Sequence, residues 1–342
     1  MYTVVEIAGT LSLDTVAPDD EQALRDWFAL LAAAQAHDVP ADPPPCQVEH
    51  RARLVVPDPG YVETVWLARA GAETVGVAVL ALPTLDNPDG ALGELVVAPR
   101  HRRRGVGRRL LRQLTDAARA AGRTRLIIEA REPLDEPGPA PAFLIAAGAR
   151  KALADQRRRL ALPPADPALL AVLGAKAAVA AAGYDLVQWT GATPPEWLDD
   201  LAVLTARMST DAPRDDLHWD AEHFDADRLR ALDASRAARG ARRTVTAARA
   251  PDGRLVAYTD IFRSASVAWY ANQGDTIVAP EHRGHRLGML VKLANLDRVR
   301  RDAPGLRVID TYNADSNPWM VSINESMGYR PYDRLGEWEL DL

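Results

Sequence analysis

Two stretches of this chain repeat one another 181 residues apart without a gap, and no other feature limits the possible folds as much. The first runs from Gly93-Glu94-Leu95-Val96-Val97-Ala98-Pro99 into RHRRRGVGRRLLRQL. The second runs from Asp275-Thr276-Ile277-Val278-Ala279-Pro280 into EHRGHRLGMLVKLANLDRV. Glu94 and Asp275, Pro99 and Pro280, Arg102 and Arg283, and Gly107 and Gly288 are each 181 positions apart, as are Glu129 and Asp310 in the next apolar run. A period this long marks a duplicated domain rather than a solenoid unit. A length of 342 residues suits two domains.

Each stretch reads as a strand, a turn rich in glycine and arginine, and a helix. From Val106 onward, Leu110, Leu111, Leu114, Ala117, Ala118 and Ala121 share one face at helical spacing. A helix N-terminus fed by such a turn is a natural anion site. Its first N–H groups lack intrahelical partners, and the helix dipole adds about half a positive charge. Gly105 and Gly107 let a phosphate approach the backbone, and Arg102, Arg103, Arg104 and Arg108 add charge. A plain turn, a solvated helix start and a nucleic-acid patch are the competing readings. The net charge of −6 and the absence of aromatics among the arginines argue against nucleic acid.

At these residues the chain resembles the GNAT superfamily of acyl-CoA-dependent N-acetyltransferases, whose signature is V-x-P-x-x-R-x-x-G-x-G/A. Val97, Pro99, Arg102, Gly105 and Gly107 match it in full. Val278, Pro280, Arg283 and Gly288 match it in the second copy, where Arg286 replaces the first glycine. The resemblance implies an α/β fold, a mixed α+β sheet in each of two tandem domains, at 1–163 and 164–342. It also implies acetyl-CoA as acyl donor. In the first copy the donor would lie along Leu95, Val96 and Val97 and over Arg102, Arg103, Arg104, Gly105, Val106, Gly107 and Arg108. In the second it would lie along Thr276, Ile277 and Val278 and over Arg283, Gly284, His285, Arg286, Leu287, Gly288 and Met289, with Asn313 and Asn317 on the pantetheine side.

The rest of the chain fits that order. Thr3 to Leu13 alternates like a strand, and Asp19 to Ala36 carries a helical stripe with Asp19 or Asp20 as cap. Pro40 to Pro45 is a connection. Val65 to Arg69 and Val75 to Leu82 read as a hairpin. Leu126 to Glu129 is a buried-type strand, Ala142 to Ala147 a short helix, and Ala154 to Leu162 a strand. Pro163 to Pro167 is the linker. In the second half, Arg307 to Thr311 repeats the buried strand, Trp319 to Met327 is a short helix, and Glu337 to Leu342 is a terminal strand. One cysteine, Cys46, gives no disulfide framework. With no leader-like N-terminus and no apolar span of the roughly 18 residues a membrane helix needs, the expected home is the cytoplasm. No membrane partner is expected, and both monomer and homodimer are compatible with the sequence.

Acetyl transfer to an amine needs a base for the ammonium, a donor for the developing oxyanion and an acid for the departing thiolate. By resemblance, Glu94 and Asp275 stand where a base often stands, with Glu129 and Asp310 as alternates. A backbone N–H near Val97 or Val278 would serve the oxyanion. The family's usual acid, a tyrosine, is missing: Leu144 holds its place in the first copy and Asn324 in the second. Asn324 can donate a hydrogen bond to sulfur, and Tyr329 or Tyr332 can substitute as acid. The balance of these residues favours chemistry in the second domain. Asp211, Asp215, Asp216, Asp220, Glu222, Asp225 and Asp227 form an acidic stretch that suits a small cationic amine, or is a solvated loop. His282 and His285 lack a third ligand, so no metal is expected. An acyl-CoA binder or sensor without turnover, and a protein amino-group acetyltransferase, are the alternative functions.

Overall fold

The computed structural model describes residues 11–135, 138–264 and 266–342. In chain order its strands and helices are β1 (Leu11–Thr15), α1 (Glu21–Asp38), α2 (Gln47–Val55), β2 (Tyr61–Ala70), β3 (Glu73–Pro83), β4 (Gly90–Val97), α3 (Val106–Ala120), β5 (Arg125–Glu132), α4 (Pro139–Ala146) and β6 (Arg150–Ala161). There follow α5 (Pro167–Ala180), β7 (Asp185–Thr190), α6 (Leu198–Asp211), α7 (Ala226–Ala238), β8 (Ala241–Arg249), β9 (Leu255–Ser264), β10 (Tyr270–Val278), α8 (Leu287–Asp302), β11 (Val308–Ala314), α9 (Pro318–Ser326) and β12 (Arg330–Asp341). The expected strand at 3–13 falls mostly outside the described residues, and β1 begins at Leu11.

The described residues form two compact units. The first holds those up to Ala130, Leu144–Lys151 and Glu337–Leu342; the second holds Arg131–Phe143 and Ala152–Gly336.

In the first unit, β1, β2, β3 and β4 are antiparallel neighbours in that order. β5 then pairs parallel to β4, from Gly90↔Arg125 to Gly93↔Ile128. Residues 337–341 of β12 follow β5 in the sheet. Alternation along the strands sends Val65, Leu67, Val77 and Val79 to one face, where Trp27, Leu24 and Leu30 of α1 cover them. Asp20 caps α1 by accepting from the Gln22 and Ala23 amides, as the sequence predicts. On the opposite face α3 lies so close that a Cβ at Gly76 would meet Leu110 at 2.8 Å. Glycine there sets how near the helix can sit.

The second unit repeats this plan. β7, β8, β9 and β10 are antiparallel neighbours, and β10 pairs parallel to β11 only from Tyr270↔Val308 to Asn272↔Asp310. β11 pairs antiparallel to β6 from Val308↔Ala161 to Ala314↔Asp155. Leu198, Leu201 and Leu204 of α6, with Leu229 of α7, pack on one face. Leu293, Leu296 and Val299 of α8 pack with Ile261 and Ile309 on the other.

The second unit also holds a buried ion hub. Arg157, fully buried, donates from Nε to Asp333 at 2.8 Å and from Nη1 to Asp310 at 3.2 Å. Arg159 adds two bonds of 2.7 Å to Asp310, and the Tyr270 hydroxyl donates to it at 3.0 Å. The Tyr332 ring lies under both guanidinium groups, at 4.6 and 3.6 Å.

Candidate active site

In both units the parallel pairing stops early: β4 and β5 part after Gly93, and β10 and β11 part after Asn272. Each fork leaves backbone groups on strand edges that the ladder no longer uses. The turn and helix start from the repeated stretch follow each fork.

The two turns have the same backbone. In the first, Arg103 (φ +61°) and Gly105 (φ +86°) are left-handed; in the second, Gly284 (φ +88°) and Arg286 (φ +55°) are. Arg103 matches Gly284 and Gly105 matches Arg286 at the 181-residue offset. The substitution of arginine for glycine at 286 therefore leaves the turn's conformation in place. The first helical bonds run from Arg109 N to Gly105 O and from Leu290 N to Arg286 O, both 3.1 Å. The amides of Val106, Gly107 and Arg108, and of Leu287, Gly288 and Met289, thus lie in first turns without intrahelical acceptors. A Cβ on Gly105 or Gly284 would meet nothing within 4 Å, so both cradles are open. Open left-handed turns leading into amide-rich helix starts fit the diphosphate of a nucleotide thioester.

The signature arginine has another task. Arg102 donates from Nε to Val97 O at 3.1 Å and grips Asp38 of α1 with two bonds of 2.6 and 2.5 Å. Arg283 does the same, to Val278 O at 3.2 Å and Asp211 at 2.6 Å. Each arginine ties the strand end to a helix of its unit. Partial burial alone would raise the Asp38 carboxyl, but the Arg102 bonds outweigh it and hold it below its ordinary value.

The forks differ in what lines them. In the first unit the β3–β4 ladder is unbroken, with Val77 opposite Val96 and Val79 opposite Glu94. Glu94 is 59 % exposed and paired with Arg53 at 2.8 Å. In the second unit the β9–β10 register shifts between Gln273 and Thr276, a bulge that contains Gly274 and Asp275. Tyr258, opposite Ile277, and Asp260 take the places of Val77 and Val79. The Tyr258 hydroxyl donates to Asp275 at 2.8 Å. Arg243 of β8 donates from Nε to Asp260 at 2.8 Å and lies 3.4 Å from Asp233 of α7. A Cβ on Gly274 would come within 2.3 Å of Asp260 Oδ1, so only glycine fits the bulge.

Burial, reinforced by the charge of Asp260, pushes the Asp275 carboxyl above its ordinary value; Tyr258, Arg243 and Arg236 counteract it in part. A half-buried carboxyl in a bulge with a raised pKa has the character of a general base. Neither Tyr258 nor Asp260 is among the residues the sequence points to. Their signal was two polar side chains alternating within the apolar run Leu255 to Phe262.

The remaining candidates scatter. Asn317 caps α9, accepting from Met320 N at 3.2 Å, while Asn324 donates to Asn313 at 2.5 Å with its own Oδ1 buried and unpartnered. Tyr329 is a core aromatic, where burial raises its hydroxyl. Asp310 is the ion hub, so its carboxylate is spent on arginines. Much of the acidic stretch serves structure: Asp211 holds Arg283, Asp225 caps α7, and Asp227 pairs with Arg230. His282 bonds the Tyr184 hydroxyl at 2.9 Å. Among the described residues no helix is long and apolar enough to cross a membrane.

Comparison with known proteins agrees with this geometry. Residues 24–137 match the acetyltransferase (GNAT) family. A tandem GNAT protein from the clavulanic acid biosynthesis pathway is 33 % identical, with a TM-score of 0.81 over 97 % of this chain and 98 % of that one. A GCN5-related N-acetyltransferase from Sphaerobacter thermophilus, at 15 % identity, shares the fold with a TM-score of 0.66 over 97 % and 95 % of the two chains. A putative acetyltransferase from Pyrococcus horikoshii shares it at 14 % identity and 0.59, over 100 % and 92 %. No curated protein matches the sequence. The duplicated forks and the identity across the whole chain place this protein in the GNAT acyltransferase family, as a tandem, acyl-CoA-dependent member.

Proposed function

We propose that this protein is a cytoplasmic N-acetyltransferase that moves an acetyl group from acetyl-CoA to the amine of a small cationic molecule within a ternary complex. The chemistry belongs to the second domain, here taken as 164–342. The first domain, 1–163, holds acyl-CoA or CoA without turning it over. The observation that carries this reading is the bulge at Gly274-Asp275. Only the second fork sets a raised carboxyl beside a hydroxyl donor, while its counterpart Glu94 is exposed and paired to an arginine.

The donor supplies an activated acyl carbon, and the chain's own residues do the rest. Main-chain amides at the starts of α3 and α8 bind the diphosphate. Asp275 takes the proton from the incoming ammonium, whose ordinary pKa near 10 keeps it charged at neutral pH. Asp233, Asp260 and Asp275 outnumber Arg236 and Arg243 around the bulge, which favours a cationic acceptor.

Calorimetry with acetyl-CoA, followed by thiol release on addition of a panel of amines, tests the reading. Amine-dependent thiol release that survives Glu94→Gln and is lost in Asp275→Asn supports it. Tight acetyl-CoA binding with no release for any amine leaves a binding protein in its place. Release with peptides alone moves the acceptor to protein.

A further inference from the structure

Thioester aminolysis ends with a thiolate leaving, and a proton donor at the sulfur speeds that step. Asn324 has no acidic proton to give, and the hydroxyl of Tyr329 is pushed upward by burial in the core. Among the described residues the second unit does contain a buried amine without a hydrogen-bond partner. Lys292 of α8 is 1 % exposed, and its Nζ makes no hydrogen bond.

Its position follows from the helix. Gly288, in the first turn of α8, faces both Val278 of β10 and Ile323 of α9: a Cβ there would lie 3.7 and 3.6 Å from them. Four residues further on, Lys292 lies on the same face, roughly 6 Å deeper along the axis. Its Nζ lies 5.6 Å from the centre of the Tyr329 ring, on the α8 side of the sheet. Asn324, whose Oδ1 is also unpartnered, follows Ile323 on α9. Tyr258 and Asp275 approach from the α6 face, because the Tyr258 hydroxyl also reaches Thr205 of α6 at 3.4 Å. The second unit thus carries the Tyr258–Asp275 pair on the α6 side of its sheet and Lys292 on the α8 side.

We propose that Lys292 is the proton donor to the departing thiolate in the second unit, an inference that rests on the function proposed above. The amine attacks the thioester carbon after Asp275 has taken its proton. The tetrahedral adduct collapses, the C–S bond breaks, and its electron pair passes to sulfur. Lys292 Nζ gives sulfur a proton, leaving amide and free thiol. The second N–H proton of the adduct's nitrogen passes to solvent as the amide forms; solvent also reprotonates Lys292 and receives the proton from Asp275, so one proton is released per turnover.

Two further observations agree. Burial lowers the Lys292 ammonium to about 7, against the opposing pull of Asp260, which suits proton delivery near neutrality. The equivalent residue in the first unit, 181 positions earlier, is Leu111, buried and unable to donate.

The test is Lys292→Met in the full chain, with Lys292→Leu as a second variant. An apolar side chain in place of an unpartnered buried amine is expected to fold at least as well. CoA is first titrated into the unaltered protein; no binding there refutes the proposed function itself and this inference with it. Where CoA binds, the ultraviolet absorbance of its thiolate is followed against pH. One class of bound thiol should ionise below free CoA in the unaltered protein, through the nearby ammonium, and lose that shift in both variants. Their kcat should fall about 100-fold or more, with CoA affinity and the amine KM little changed. A bound thiol that titrates alike with and without Lys292, or a kcat that survives, overturns the assignment.

Discussion

Gly105 and Arg286 cap α3 and α8 with the same left-handed backbone, at φ +86° and +55°. Glycine adopts that conformation freely, whereas an L side chain pays roughly 1–2 kcal/mol. Arg286→Gly should therefore raise stability by about 1 kcal/mol or less, once the greater freedom of glycine in the unfolded chain is subtracted. Denaturant unfolding of the two proteins checks this. A destabilised variant would mean that the arginine side chain contributes more than its backbone costs.

Gly105→Glu should act on binding rather than folding alone. It places a carboxylate at the mouth of the anion cradle and forces a side chain onto a left-handed residue. Acetyl-CoA affinity at the first site should fall by at least tenfold in calorimetry. Unchanged affinity there would place the diphosphate elsewhere.

Asp275→Asn should lower kcat by about 100- to 10,000-fold. In the unaltered enzyme, activity should rise as pH passes the Asp275 carboxyl, because only its ionised form accepts a proton. Since burial and Asp260 raise that carboxyl, the acid limb of the rate profile should lie above the ordinary value near 3.9. Tyr258→Phe removes a bond that favours the ionised form and should move the limb higher still. A limb at the ordinary aspartate value in both proteins would exclude Asp275 as the base.

Arg157→Met should cost about 3–5 kcal/mol, because it strands Asp333 and part of Asp310 in the interior with fewer donors. The loss should appear in chemical unfolding of the second unit, with the first site's CoA affinity kept.

How far these features could be read from the sequence depended on their range. The turns and the helix starts that follow them are local, and the 181-residue offset doubled their signal, so α3 and the ends of β4 and β10 emerge close to their true limits, while β10 begins at Tyr270, five residues before the expected Asp275. Helix α2 does not emerge, because Ala52 is its only buried residue and leaves no apolar stripe to read. The bulge at Gly274 was invisible as well. Gly93 and Gly274 look alike in sequence, but the neighbours that decide their roles come from other strands: Leu126 and Ile128 in one case, Asp260 and Phe262 in the other. Asp310 read as an alternate base because its partners Arg157 and Arg159 stand some 150 residues away in the chain. The terminal strand was expected at Glu337 to Leu342, whereas β12 starts at Arg330, where alternating polar residues hide a strand whose inward side chains are themselves ionic.

Deleting Glu337 to Leu342 should destabilise the first unit, although these are the last residues of the sequence. Trp338 and Glu339 are buried there, Glu339 pairs with Arg150, and Leu342 N donates to Thr124 O at 2.8 Å. Loss of the first unfolding transition, or of CoA binding at Gly105, would reveal it; an unaffected first unit would show that β5 tolerates an open edge.

The same membership in the first unit governs events during synthesis. A ribosome that has translated the whole first half has not yet made the six residues 337–342 that belong to the same unit. Until residues 337–342 are made, the edge of β5 stays uncovered. The nascent chain is then most exposed to mispairing with a neighbour on the same messenger.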